Sequence, residues 1–139
     1  MRYEVTPDLI TDNHLIDSEH MQLFDAVNKL LDAMSDPKSN GGGQIGQTAD
    51  FLRSYVDKHF GHEEELQKKH DWREYETHVR FHEQYKNTLC DILDSIPLDG
   101  TPPSVQNMSE LNVHIVRLIT HIRTMDKRLG AYLKSRGEA

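Results

Sequence analysis

The sequence is poor in the features that mark several large classes of protein. Its 139 residues include one cysteine, Cys90, so no disulfide bond can form within the chain, and a reducing compartment such as the cytoplasm is expected. No apolar run approaches the roughly 18 residues that a membrane-spanning helix needs, and the start of the chain lacks the apolar stretch of a secretory signal. We therefore expect a cytoplasmic chain with no membrane partner.

Basic residues are in the minority as well. The chain has 16 Lys and Arg against 23 Asp and Glu, which gives a formal net charge of −7 at pH 7. Phosphate backbones and anionic lipid surfaces repel such a chain, so nucleic acid is not expected as a partner either. The length favours one domain over residues 1–139. Histidine, in contrast, is abundant, and the 9 histidines direct the search for function.

Four stretches carry apolar residues at helical spacing, whereas signals for strands are nearly absent. Asp17 or Ser18 can cap the first stretch, which ends in the helix-breaking run Ser-Asp-Pro-Lys-Ser-Asn-Gly-Gly-Gly at 35–43. Ser104 can cap the fourth. The second, third and fourth stretches run over residues 45–66, 75–96 and 105–133.

The number and lengths of these stretches define the expected architecture. Four helices of roughly 17 to 30 residues, joined by short connections, predict an all-α fold and an antiparallel up-down-up-down four-helix bundle. We expect the bundle over residues 17–135. Residues 1–16 show no sustained period and are expected to form an extended N-terminal arm.

Each predicted helix carries histidine on the stripe that a bundle would bury. His59 and Glu63 are four residues apart, so they share one helix face, and His78 and His82 repeat that spacing. Imidazole and carboxylate groups at core positions are unfavourable by several kcal/mol unless they are partnered. A single such histidine reads best as a hydrogen-bonded core residue. On four converging helices, metal ligation is favoured.

The order and spacing of these residues resemble the hemerythrin family of HHE-type domains. The family pattern H, HxxxE, HxxxH, HxxxxD is matched by His20, His59 with Glu63, His78 with His82, and His121 with Asp126. The resemblance covers nearly the whole chain and implies a four-helix bundle. It also implies a non-haem centre of two iron ions, bridged by an oxo or hydroxo group, that binds dioxygen reversibly.

The resemblance further implies how the two irons are held. One iron would be bound by His78, His82 and His121, and the other by His20 and His59, with Glu63 and Asp126 bridging both. Counting donors in this scheme leaves one open coordination position, on the iron with two histidines, where dioxygen would bind. The apolar side chains expected around that oxygen pocket are Leu23, Phe24, Leu118 and Ile122.

Two competing metal motifs fail. Ferritin-like sites need a Glu three residues before a His, which no histidine here has, and zincins need H-E-x-x-H on a helix. Both His62-Glu63 and His82-Glu83 lack the second histidine of that motif. A structural zinc ion is bound by four ligands, and the set of predicted ligands here is larger than that.

Reversible dioxygen binding by a carrier, storage or sensing module is the favoured function. Only two anionic side chains would face two metal ions, and the apolar neighbours should exclude water and protons, which favours binding without turnover. We therefore do not expect an enzyme. The alternatives are a di-iron enzyme that reduces peroxide or dioxygen or consumes nitric oxide, and an iron-handling protein. A signalling or redox partner is left open.

Several neighbouring residues carry simpler expectations. His62 is expected to face solvent, and Glu64 and Glu65 to belong to a solvated face. His114 is expected to be a hydrogen-bonded histidine further along the bundle. On a regular helix His121 and Asp126 would point about 140° apart, so either Asp126 reaches across from the flank or the helix contains a π-bulge.

Overall fold

The computed structural model describes residues 3–36 and 43–138, and these residues form helices and no strand. A 3-10 turn at Pro7–Leu9 precedes the bundle. The helices are α1 (His14–Ser35), α2 (Gln44–Lys69), α3 (Tyr75–Asp94), α4 (Val105–His121), a π-helical segment (Ile122–Asp126) and α5 (Lys127–Ser135). The last three are continuous and form the fourth leg of an antiparallel bundle. The predicted all-α four-helix fold is confirmed, although residues 37–42 of the expected chain break lie outside the described residues.

The bundle is held together by the apolar stripes that define its helices. The largest fully buried aliphatic side chains come from the arm, from α1 and α2 and from the fourth leg: Leu9, Ile16, Leu23, Leu30, Ile45, Leu52, Leu111, Ile115, Ile122, Leu129 and Leu133. The third leg adds the buried side chains of Leu89, Ile92 and Leu93. Burying one such side chain contributes roughly 1.5–3 kcal/mol. A smaller cluster of Ile16, Trp72, Leu129 and Leu133 packs separately. Within the described residues no helix is long and apolar enough to span a bilayer.

The start of α1 corrects one prediction. The helix begins at His14, and Asn13 is its N-cap, with Oδ1 accepting the Ile16 backbone N–H at 3.0 Å. The predicted caps Asp17 and Ser18 lie inside the helix. The carboxylate of Asp17 instead accepts the backbone N–H of Thr11 at 2.8 Å and so holds the arm. The predicted cap of the fourth leg is confirmed, since Ser104 forms a capping box with Asn107.

The N-terminal arm packs along the bundle. Tyr3 and the side chain of Asn28 exchange two hydrogen bonds of 2.8 Å, and the Tyr3 hydroxyl donates to Asn112 at 2.7 Å. Further along, a Cβ at Gly130 would lie 2.1 Å from the Thr11 carbonyl oxygen, so only glycine permits this approach of arm and α5. The arm therefore ties α1 to the fourth leg.

Candidate metal centre

The structure brings the seven predicted ligands together in the interior of the bundle. Each helical leg contributes at least one of them, and each side chain is at most 3% exposed. They are His20 on α1, His59 and Glu63 on α2, His78 and His82 on α3, His121 at the end of α4, and Asp126 at the end of the π segment.

The π segment decides how Asp126 reaches this cluster. Residues Ile122–Asp126 adopt π-helical hydrogen bonding, in which residue i pairs with residue i+5. The wider turn brings Asp126 back to the face of His121, whereas a regular α-helix would separate them by about 140°. Of the two predicted alternatives, the π-bulge is the one that occurs. Both side chains are buried within the cluster.

The two oxygens of Glu63 face opposite sides of the cluster. Oε1 lies 3.2 Å from Nε2 of His82 and 3.6 Å from Nε2 of His78. Oε2 lies 3.1 Å from Nε2 of His59 and 3.6 Å from Nε2 of His20. One carboxylate therefore contacts both sets of histidines.

Asp126 divides its oxygens in the same way. Oδ1 lies 3.0 Å from Nε2 of His78 and 3.2 Å from Nε2 of His121, while Oδ2 lies 3.2 Å from Nε2 of His20. Two groups that could each hold a metal ion result, one of Glu63, His78, His82 and His121, the other of His20, His59, Glu63 and Asp126. The geometry thus separates three histidines from two, with carboxylates between them.

The buried atoms that converge here lack hydrogen-bond partners among the described residues. They are Nε2 of His20, His59 and His82, both oxygens of Glu63, and Oδ1 of Asp126. Buried polar groups in folded proteins are otherwise nearly always hydrogen-bonded, because leaving them unpaired is costly. Imidazole nitrogens and carboxylate oxygens are metal ligands, so the donor set fits bound cations.

Comparison with known proteins agrees with this donor set. A family model described as the hemerythrin HHE cation binding domain matches residues 11–133. The chain belongs to the hemerythrin family. A curated relative, bacteriohemerythrin of Methylococcus capsulatus, is 26% identical over 121 residues, which is 86% of each chain. The family-matched range contains all seven clustered side chains, and the family membership predicted from the motifs is confirmed.

Charge coupling inside this hemerythrin cluster opposes the effect of burial on its histidines. Burial alone would lower the pKa of His59, but the Glu63 carboxylate and a hydrogen bond with Glu19 raise it from 6.5 to about 10. Burial likewise favours a lower pKa for His20 and His82, yet neighbouring carboxylates raise both values. The cluster therefore attracts positive charge.

The carboxylates show the reverse shifts. Burial raises the pKa of Glu63, but His59 and the other surrounding imidazoles outweigh it and hold the pKa well below 4.5. Burial and the charge of Glu63 both raise the pKa of Asp126, and the imidazoles of His121 and His20 outweigh them, so that this pKa also lies well below 3.8. Both carboxylates are therefore ionised, which suits them to bind cations.

A second layer of side chains holds the outer nitrogens of the histidines. Glu19 accepts from Nδ1 of His59 at 3.0 Å, and Glu64 accepts from Nδ1 of His82 at 2.8 Å. The amide nitrogen of Gln67 lies 2.9 Å from Nδ1 of His78. Such partners fix the orientation of a metal-binding imidazole. None of these three residues is predicted from the sequence pattern to contact a ligand histidine.

Two surface expectations are corrected by this layer. His62 is half-buried, and its Nδ1 lies 2.6 Å from the second oxygen of Glu19, because the carboxylate spans His59 and His62. Glu64 is only 25% exposed, since it turns inward to His82. The sequence does contain one indication that Gln67 lies near the cluster, since Gln67 follows Glu63 by four residues and therefore shares its helix face.

His114 confirms the interpretation as a hydrogen-bonded core histidine. Its ring stacks on Tyr85 with centroids 3.7 Å apart, and its Nε2 donates to the Tyr85 carbonyl at 3.1 Å. The Tyr85 hydroxyl donates in return to the His114 carbonyl at 3.1 Å. Burial lowers the pKa of His114 to about 4, so this ring is neutral at physiological pH.

Two aromatic rings pack against histidines of the cluster, and the predicted pocket residues lie in the main core. The four residues predicted to form the oxygen pocket, Leu23, Phe24, Leu118 and Ile122, are all buried in the main core. Phe60 stacks on His82 at 3.7 Å between centroids, and Phe81 stacks on His121 at 3.9 Å. Both ring pairs are almost parallel, at 4°. These stacking contacts restrict rotation of the two imidazole rings, and the clustered side chains are at most 3% exposed.

Proposed function

We propose that this hemerythrin domain binds dioxygen reversibly at a pair of iron ions held inside the bundle. The observation that carries the proposal is the set of buried imidazole nitrogens and carboxylate oxygens that converge without hydrogen-bond partners in the described residues. Bound cations would satisfy them. Because imidazole accepts many divalent metals, the preference for iron rests on family membership.

The proposed ligands form two sets that share their carboxylates. One ion would be held by His78, His82 and His121, and the other by His20 and His59, with Glu63 and Asp126 bridging the two. The opposite directions of the two Glu63 oxygens support this sharing, since each oxygen lies nearest a different set of histidines. A single structural zinc ion would use only four ligands.

Iron supplies the capacity to take up and release dioxygen, and the chain controls its surroundings. The proposed pocket side chains Leu23, Phe24, Leu118 and Ile122 are apolar and carry no proton donor. They would exclude water and deny bound dioxygen the protons that its reduction needs. We therefore propose binding without turnover and no enzymatic activity, with dioxygen as the ligand.

The proposal covers carriage, storage or sensing of dioxygen, which share one binding chemistry. We place the protein in the cytoplasm, and the presence of one cysteine agrees with a reducing compartment. Neither the choice among these roles nor the cellular location changes the dioxygen binding that we expect of the purified chain.

Anaerobic reduction of iron-loaded protein, followed by exposure to dioxygen, separates the candidate functions. We expect a dioxygen-dependent visible absorption band that disappears when dioxygen is removed and returns when it is restored, over repeated cycles. Substrate-dependent turnover of peroxide or nitric oxide would instead identify an enzyme. Release of iron without any reversible band would identify an iron-handling protein.

Leu118→Ala tests the placement of the oxygen pocket. Leu118 lies one turn before His121 and is 2% exposed. Its truncation removes no proposed ligand, so iron content should stay nearly unchanged. It should admit water and small anions, so the dioxygen-dependent band should decay faster to the oxidised spectrum, and azide should bind faster. Stopped-flow spectroscopy measures both rates.

The matched control is Leu111→Ala on the same helix. Leu111 is also fully buried, two turns from Leu118, so its truncation should destabilise the bundle by a similar amount, roughly 2–5 kcal/mol. Band decay and azide binding should remain as in the unmodified chain. Equal rates in both variants would show that Leu118 does not line the oxygen pocket.

A further inference from the structure

A cavity outside the proposed oxygen pocket opens on the surface between the arm, α3 and the fourth leg. Its volume is about 790 Å³, which is within the range of roughly 300–1,000 Å³ that small-molecule sites occupy. We call this cavity the α4 groove, and the lining side chains used below are Tyr3, Phe81, Val113, Val116, Arg117 and Met125. It also borders His121, which belongs to the three-histidine set, whereas the proposed dioxygen position is on the other iron.

The apolar wall of the α4 groove is open to solvent. Val113 is 63% exposed and Val116 is 53% exposed, and their spacing of three residues puts both on one face of α4. Phe81 and Met125 are half-buried and extend this apolar surface. Apolar side chains gathered around a concave surface are typical of binding sites, because a ligand that enters releases the water in contact with them. The groove therefore favours a ligand with an apolar body.

The charge in the α4 groove comes from Arg117. Of the described residues that line the groove, Arg117 is the only Lys or Arg, and none is Asp or Glu. Its guanidinium carbon lies 5.9 Å from the centre of the Phe81 ring, and it forms no salt bridge within the part of the chain that the structure describes. The chain as a whole has a net charge of −7, so this uncompensated cation beside an apolar wall is an exception on its surface. Charge complementarity favours a ligand with an anionic group.

We propose that the α4 groove binds an amphiphilic monocarboxylate, a molecule with an apolar body and one carboxylate group. The apolar body packs against Val113, Val116 and Met125, and the carboxylate accepts hydrogen bonds from the guanidinium of Arg117. The planar fork of a guanidinium matches the two oxygens of a carboxylate. A phosphate dianion fits less well, because the described lining offers it one cation. The proposal does not depend on the proposed metal centre, since none of these four residues is a proposed ligand.

A second copy of the chain fits the α4 groove less well than a small molecule does. A stable protein interface buries about 800 Å² on each partner. Among the large apolar side chains that are exposed in the described residues, only Val113 and Val116 line the groove. The groove is also concave, and the arm forms one of its walls, since the Tyr3 hydroxyl donates a hydrogen bond to Asn112 at 2.7 Å. Its shape and small apolar area both favour a small ligand.

Isothermal titration calorimetry of the purified full-length chain tests the proposal, with octanoate as the probe and octan-1-ol as its uncharged counterpart. Octanoate should bind at one site per chain and about tenfold more tightly than octan-1-ol, because only the carboxylate accepts charge-assisted hydrogen bonds from Arg117. Arg117→Met removes the charge and keeps an unbranched side chain. It should weaken octanoate binding about tenfold and leave octan-1-ol binding unchanged. Inorganic phosphate should give no binding heat.

A pair of variants on α4 tests the location of the site. Val116→Glu puts a carboxylate into the wall of the groove and should weaken octanoate binding at least tenfold. Its matched control is Val105→Glu, because Val105 is 87% exposed on the same helix and does not line the groove, so octanoate affinity should be unchanged. Circular dichroism verifies that each variant is folded.

Two results would overturn the proposal. The first is octanoate binding that Arg117→Met and Val116→Glu both leave intact, as coordination of the carboxylate at a metal ion would be. The second is a dimer in analytical ultracentrifugation that Val116→Glu dissociates, with no octanoate bound to the monomer, which would assign the α4 groove to a second copy of the chain.

Discussion

Glu63→Gln is expected to reduce the iron content of the chain from about two ions to less than one. The two oxygens of Glu63 lie 3.1 Å from His59 in one set of histidines and 3.2 Å from His82 in the other. Glutamine keeps the volume but removes the charge, and it presents an N–H group to one set of ligands. Loss of a shared anionic ligand weakens both sites, since cations buried without compensating charge are strongly disfavoured.

The adjacent glutamate is a matched control for this prediction. Glu64 contacts the outer nitrogen of His82, at 2.8 Å, and is not a proposed ligand, so Glu64→Gln should retain about two irons with at most a tenfold loss of affinity. Elemental analysis after gel filtration, with circular dichroism to verify folding, compares the two variants. Equal iron loss in both would refute the bridging position of Glu63.

Removing the metal should lower the melting temperature by about 10 °C or more at pH 8. A ligand present at a thousand times its dissociation constant stabilises a protein by about 4 kcal/mol, and each kcal/mol shifts the melting temperature by roughly 3 °C in a chain of this size. Binding also relieves the repulsion between ionised Glu63 and Asp126 and satisfies their unpaired oxygens. Calorimetry of iron-loaded and metal-free protein measures this difference.

The same difference should shrink as the pH falls. In the metal-free chain the raised pKa of His59, about 10, gives stability that is fully present below 6.5 and is lost as pH rises toward 10. The lowered pKa values of Glu63 and Asp126 give stability that is present above about 4.5 and lost below it. The metal-free chain should therefore be most stable between about pH 4.5 and 6.5.

Metal binding follows the opposite trend because protons compete for the imidazoles. Metal needs them neutral, so its stabilisation should grow from pH 6 to pH 9 and the two melting curves should diverge. Melting temperatures recorded in steps of half a pH unit would show this. A constant difference over that range, or equal stability of both forms at pH 8, would count against a metal site in the bundle core.

Two pairs among the seven clustered residues were predictable because each pair lies on one helix, whereas the complete set was predicted from the resemblance to the family pattern. Spacings such as His59 to Glu63 and His78 to His82 fix a common face whatever the rest of the fold does. The pair His121 and Asp126 was the exception. Its spacing fits a π-helix or an unusual side-chain reach equally well, and only the backbone of Ile122–Asp126 distinguishes them.

The outer layer was not predictable because it depends on contacts between helices. Glu19 on α1 meets His59 and His62 on α2, a relation that sequence spacing does not encode. The inward turn of Glu64 toward α3 is of the same kind. The start of α1 was misplaced for a local reason, since Asn13, Asp17 and Ser18 are all good caps and the packing of the arm decides among them.

Anaerobic titration of the metal-free chain with Fe²⁺ tests the two-ion centre most directly. We expect uptake that breaks at about two ions per chain, with magnetic coupling between them in the oxidised protein, because Glu63 and Asp126 would join the two sites. A break at one ion per chain, or two ions without magnetic coupling, would contradict a centre in which these carboxylates are shared.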